Sequence, residues 1–314
     1  MGISLSRSLI EPLVREVLAR HVAMLPPADL SPQAAFDSEA AQALKREMVE
    51  VGRKLWERQY VDGNGGNISS RLADQWVLCT PTLTSKADLR VEDLCLVDLD
   101  GRQVAGCTRR SSEILLHLEV MKAVREARAV IHCHPPHATA YSLAGLVPPE
   151  AMLAEHEVFV GPVAIVPYES PGTQAFADAV IPLVQQHNTI LLANHGMVTW
   201  ADTLTHAEWY VEVMDTTCRI LILAGHLGAP LRTIPGDKLR DLLALKKRLG
   251  MPDLRFAPGE SPIRSADGAA TPASADMAGP PARQPRWGAV AREDIVFEDL
   301  VKVVTDKVLA ALSR

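Results

Sequence analysis

Apolar side chains return at helical spacing over residues 38–59, where Leu44, Met48, Val51 and Leu55 share one side. The same rhythm marks 113–126 (Leu115, Leu118, Met121, Val124) and 202–225 (Ala207, Val211, Met214, Cys218, Leu221), and 173–187 is also expected to be helical. Short apolar runs bounded by turn residues read as strands instead, at 76–79, 94–98, 129–131, 163–166 and 189–193. The two ends behave differently. Ser8-Leu9-Ile10-Glu11 has the spacing of a capping box, and Leu9, Leu13 and Val17 repeat behind it until Pro26-Pro27 breaks the run. In 293–312, Phe297, Leu300, Val304, Val308 and Leu312 form an apolar stripe opposite charged positions. Residues 257–288 are mostly Pro, Gly, Ala and Ser, too poor in large aliphatic groups to offset the entropy of ordering. The pattern predicts an N-terminal helix and linker over 1–36, a main domain over 37–256, a flexible linker over 257–288 and a C-terminal amphipathic helix over 289–314.

Composition then narrows the function classes. The chain has 314 residues, of which 47% are hydrophobic, the balance of a soluble globular protein. A net charge of −6 offers no electrostatic attraction for nucleic acid. No apolar run approaches the ~20 residues that cross a bilayer, and no signal-peptide pattern opens the sequence, so a cytoplasmic location is expected. Five cysteines without CxxC spacing read as free thiols. Cys133 stands between two histidines, but strand alternation turns it to the opposite face, into the core.

Those two histidines carry the chemistry. His132 and His134 follow the apolar run 129–131, and residues two apart on a strand face the same way. With His195, in Ala193-Asn194-His195-Gly196, they reach the ligand count of a catalytic divalent-metal site that keeps one position open. Glu113 follows Ser111-Ser112 at the start of a helix. Taken alone it is a first-turn residue balancing the helix dipole. The serines read as a cap, and the same helix end would also hold a phosphate. The stretch Asp62-Gly63-Asn64-Gly65-Gly66-Asn67 reads either as a tight turn or as a nest of backbone N–H groups for an anion.

Taken together, Gly65-Gly66-Asn67-Ile68-Ser69, Thr80-Pro81-Thr82, Ser111-Ser112-Glu113, His132-x-His134 and Asn194-His195-Gly196 resemble the class II (metal-dependent) aldolase/adducin family over roughly residues 38–230. The resemblance implies a three-layer α/β/α fold around a mainly antiparallel sheet, here with amphipathic terminal helices added, and a homotetramer. It implies one zinc ion per subunit on His132, His134 and His195, with Glu113 as acid/base and with Asn67, Thr82, Ser111 and Ser112 in a phosphate pocket. The implied reaction is retro-aldol cleavage of a sugar phosphate, L-fuculose 1-phosphate or L-rhamnulose 1-phosphate, to glycerone phosphate and lactaldehyde. Epimerases, dehydratases and decarboxylases share the scaffold, and adducin-like members are non-catalytic. Two positions depart from the family. Leu83 stands where glycine is usual, which implies a differently shaped loop, and Met152 stands where a neighbouring subunit's tyrosine donates a proton, with Tyr141, Tyr168 or a residue near the C-terminal linker as alternative replacements. The terminal helices also resemble peptides that direct enzymes to the shell proteins of bacterial microcompartments, which would place the chain in a compartment lumen.

Overall fold

A computed structural model of the chain describes residue 7 and residues 10–15, 30–251, 253–256 and 297–312. Two units are distinguished, Ala28–Ala273 and a second made of Met1–Pro27 with Ser274–Arg314. In the second unit, residues 10–15 and Phe297–Leu312 are helical, as the apolar stripes require, and the Arg7 guanidinium pairs with the Asp306 carboxylate. The expected linker at 257–288 lies outside the described residues.

The larger unit is built on one sheet. Its strands are β1 (Asn67–Arg71), β2 (Trp76–Cys79), β3 (Cys95–Asp98), β4 (Gln103–Ala105), β5 (Ala129–Cys133), β6 (Ala164–Val166), β7 (Thr189–Leu192) and β8 (Gly196–Ala201). Their order is β4-β3-β2-β1-β5-β8-β7-β6, antiparallel except for the parallel β6–β7 pair at one edge. Strand alternation divides the side chains between two cores. Leu78, Ile131, Cys133 and Met197 join one core with residues of the helices Glu39–Glu57 and Leu204–Gly225. Val77, Val130, Val198 and Trp200 join the other, with the helix Ile114–Ala123 and Phe176. The result is the expected three-layer α/β/α fold with a mainly antiparallel sheet, and Cys133 is a fully buried core residue facing away from His132.

Several elements differ from the sequence expectation. The helix expected over 173–187 is regular only over Gln174–Asp178, because Pro182 lacks the N–H an α-helix interior needs. The folded body starts before residue 37, since Phe36 in the helix Pro32–Asp37 belongs to the core. It also includes the helix Gly236–Arg248, with acidic Asp237 in its first turn and Lys246, Lys247 and Arg248 in its last, each suited to the helix dipole.

That helix is fastened by charge. Lys246 Nζ lies 2.9 Å from Asp253 Oδ2, and Arg255 reaches Asp253 at 2.7 Å and Glu157 at 2.7 Å. The side chains of Lys246, Asp253 and Glu157 are wholly buried. Removing one partner would leave a buried charge uncompensated. Asp253→Ala is therefore expected to lower unfolding free energy by about 3–5 kcal/mol in urea denaturation. A loss under about 1 kcal/mol would mean that water already reaches the cluster.

Candidate functional site

The sheet and one helix bring distant residues to a single place. Asn67 on β1 and His132 on β5 are register partners, so both side chains leave the same face. His134 follows β5 directly. β7 and β8 form a hairpin whose apex carries His195, with Asn194 at φ +58°, a left-handed conformation that asparagine tolerates. Gly196 permits the close approach there, because a Cβ at that position would lie 2.5 Å from Cys133 O and 2.8 Å from His134 Cδ2. Phe176 packs against the His195 ring with centroids 5.4 Å apart.

The three imidazoles form a triangle with ring centroids 4.6, 4.9 and 5.1 Å apart. One nitrogen from each lies within 4.8 Å of the others. Hydrogen bonds decide which nitrogens. His132 Nδ1 donates to Met197 O at 2.9 Å, leaving a lone pair on Nε2. His134 Nδ1 lies 3.3 Å from the Asp62 carboxylate, which can only accept a proton, so its Nε2 is also a lone pair. These two Nε2 atoms stand 3.2 Å apart. Two lone pairs at that distance repel unless a cation lies between them, and the edge of a tetrahedron with metal–nitrogen bonds of 2.0–2.1 Å is about 3.3 Å. The donor set fits a divalent metal ion. In two of the rings burial favours the neutral form that a metal requires: it takes the His132 pKa well below its ordinary value and that of His195 to about 4.

Glu113 stands beside this triangle. Its Oε2 is 3.4 Å from His132 Nε2 and its Oε1 is 3.7 Å from His195 Nε2. Burial raises its pKa, against the lowering influence of a hydrogen bond from Asn67 and of the neighbouring His134 and Lys86. A carboxyl group whose pKa is raised holds its proton more readily and is suited to both returning and taking one.

A cleft of about 140 Å³ opens over these groups, and Asn67, Thr82, Ser111, Ser112, Glu113, His134 and His195 all line it. His132 is fully buried beneath. A larger open cleft of about 650 Å³, beside Phe36 and Gln103, contains none of the residues singled out from the sequence. The rim segments are tied to each other. Thr82 N donates to Arg109 O at 2.9 Å and Ser111 N to Thr80 O at 3.1 Å. In the glycine-rich stretch Gly65 N donates to Asp62 O at 2.6 Å, closing a turn. The Asn67 amide is largely committed, its nitrogen donating to Glu113 Oε2 at 2.7 Å and its oxygen facing His117, so only its second amide hydrogen is left for an anion.

Leu83 takes φ +58°, the conformation glycine adopts freely, with its side chain 80% exposed at the cleft edge. Leu83 therefore places a side chain at the rim while its backbone lies in the region that glycine prefers. A bulky residue there is strained by about 1–2 kcal/mol, and no packing compensates for it. Leu83→Gly is expected to raise stability by about 0.5–1 kcal/mol after the entropy of the more flexible unfolded chain is subtracted. Loss of stability in thermal or urea unfolding would contradict this account.

The sequence passed over three residues. Asp62 orients His134, His117 sits behind Asn67, and Lys86, 2% exposed, donates to Thr84 O at 2.9 Å and to Asn64 O at 3.4 Å beneath the rim. Burial lowers the Lys86 pKa to about 8. Only His117 left a trace in the pattern, four residues after Glu113 and so one helical turn along. Neither Tyr141 nor Tyr168 lines the cleft, and Glu113 is its only carboxylate among the described residues.

Comparison with known proteins gives a consistent picture. Residues 46–222 match the family model described as the Class II Aldolase and Adducin N-terminal domain. A 3-oxo-tetronate 4-phosphate decarboxylase of Haemophilus influenzae is 32% identical over 204 residues, covering 64% of this chain and 96% of that protein. An L-fuculose phosphate aldolase of Methanococcus vannielii is 32% identical over 179 residues, covering 56% and 93% respectively. A solved structure of L-fuculose 1-phosphate aldolase superposes with a TM-score of 0.61 at 27% identity, over 65% of this chain and 96% of that one.

Proposed function

Because the chain belongs to the class II aldolase and adducin family, we propose that it is a zinc-dependent lyase that cleaves a carbon–carbon bond of a short phosphorylated 3-oxo acid. The substrate class is that of 3-oxo-tetronate 4-phosphate and the products are carbon dioxide and glycerone phosphate. The reading is carried by the convergence of three imidazoles with Glu113 in one cleft. A non-catalytic, adducin-like role would leave that convergence without a purpose.

A divalent cation on His132, His134 and His195 supplies Lewis acidity for the oxygens of the carbon skeleton. Thr82, Ser111 and Ser112 hold the phosphate at the rim, and the buried Lys86 charge beneath adds attraction for a dianion. Fixing that end of the substrate positions the reacting bond over Glu113. When the C1–C2 bond breaks, its electron pair remains on C2 and C3 as an enediolate and carbon dioxide leaves. Glu113 then delivers a proton to C2, which completes glycerone phosphate.

Retro-aldol cleavage of L-fuculose or L-rhamnulose 1-phosphate leaves the same enediolate and is the second reading, supported by the aldolase relative. It moves two protons, one off the C4 hydroxyl and one onto C3. Decarboxylation moves one. Glu113, which lines the cleft, can carry a single transfer by itself, and the decarboxylase relative spans 64% of this chain, which supports the first reading. The test is a product assay on metal-loaded protein, with glycerone phosphate measured by coupled reduction and carbon dioxide measured in parallel. The 3-oxo acid is expected to yield both, and chelation is expected to stop it. Glycerone phosphate with lactaldehyde from a ketose 1-phosphate alone would favour the second reading, and no product from any of these substrates would overturn both.

A further inference from the structure

We infer that His117 and Ser69 are positioning residues which, acting through Asn67, fix the polarity of Glu113 so that Oε2 is held as an acceptor and Oε1 is the oxygen that exchanges protons with substrate. The inference rests on the reading of Glu113 as the proton carrier.

The parts come from two elements. Asn67 and Ser69, two apart on β1, leave the same sheet face, towards the helix Ile114–Ala123 that carries His117. His117 is 1% exposed. Ser69 Oγ lies 2.7 Å from His117 Nδ1, and His117 Nε2 faces Asn67 Oδ1. Asn67 Nδ2 in turn donates to Glu113 Oε2 at 2.7 Å, and that oxygen is the one 3.4 Å from His132 Nε2.

The Asn67 oxygen sets where the hydrogen of this ring goes, and the Val130 backbone adds a further hydrogen bond to His117. A buried neutral imidazole has one donor and one acceptor nitrogen. The oxygen of Asn67 can only accept, so the ring hydrogen is on Nε2, and Nδ1 therefore accepts from the Ser69 hydroxyl. With its oxygen held by His117, Asn67 can present only its N–H to Glu113. Were the ring in the other tautomer, the amide would be free to flip and offer its oxygen to Glu113, where it would repel the carboxylate or demand a proton on Oε2. A buried network with every member satisfied enforces one arrangement. Oε1, on the side of His195, is left to serve the cleft.

Two measurements test this. Nitrogen-15 NMR of histidine-labelled protein reads the tautomer directly, without turnover, and the expected signal is a neutral ring protonated on Nε2. The second is the exchange of glycerone phosphate hydrogens with deuterium oxide on metal-loaded protein, which reports only the proton transfer. His117→Met is expected to slow exchange about 10–100-fold, the usual cost of removing an orienting partner, with metal content unchanged. His117→Gln, which restores an N–H towards Asn67, is expected to recover much of it. Should His117→Met fail to fold, Ser69→Ala takes its place, with a smaller loss of the same sign. A ring protonated on Nδ1, or full exchange in a folded variant lacking the relay, would overturn the inference. No exchange in the unaltered protein would count against Glu113 as the proton carrier, and the NMR result would still decide the relay.

Discussion

Glu113→Gln is expected to retain its metal and its fold while losing about 10²–10⁴-fold in turnover, the range that general acid–base catalysis supplies. Glutamine has the size of glutamate and can still accept from Asn67 Nδ2 through its amide oxygen. It cannot carry a proton to carbon. KM should change little, because Thr82, Ser111 and Ser112, proposed to hold the phosphate, line the cleft apart from the carboxylate. Steady-state kinetics with metal analysis on the same sample checks this. A variant within about threefold of the parent would remove Glu113 from the chemistry.

His134→Ala is expected to act through the metal instead. Its side chain is 23% exposed, whereas His132 is fully buried, so its loss tests the ligand set without opening the core. Disturbing only the orienting partner of a ligand commonly costs 10–100-fold, so removing the ligand itself should lower activity by more than about 100-fold. Metal per subunit measured after dialysis should fall in parallel, with the melting transition of the metal-free protein nearly unchanged. Full metal occupancy in this variant would show that the cation sits elsewhere.

The site was legible where chemistry follows chain periodicity. His132 and His134 share a direction because two residues span one strand repeat, and the same alternation placed Cys133 in the opposite core. Ser111-Ser112-Glu113 was readable because a helix start concentrates such residues. What the pattern could not show depends on pairing between distant segments. β1 was hidden because Asn67-Ile68-Ser69 follows a glycine-rich turn and its apolar content is small, yet its register with β5 is what sets Asn67 beside His132. Asn67 accordingly reads as a phosphate residue by resemblance, while the structure commits most of its amide to Glu113 and His117. Lys86 is a polar residue in a loop by sequence, and only the folding of that loop over Asn64 buries it. At Leu83 the sequence showed a substitution, and the backbone angle shows what kind.

His132, His134 and His195 together are expected to bind one catalytic cation beside Glu113. Anomalous diffraction from crystals of the metal-loaded protein, recorded at the zinc absorption edge, tests it most directly. One strong peak is expected, about 2.0–2.1 Å from a nitrogen of each ring and next to the Glu113 carboxyl. A peak on other residues, or none from protein shown to contain metal in solution, would contradict it.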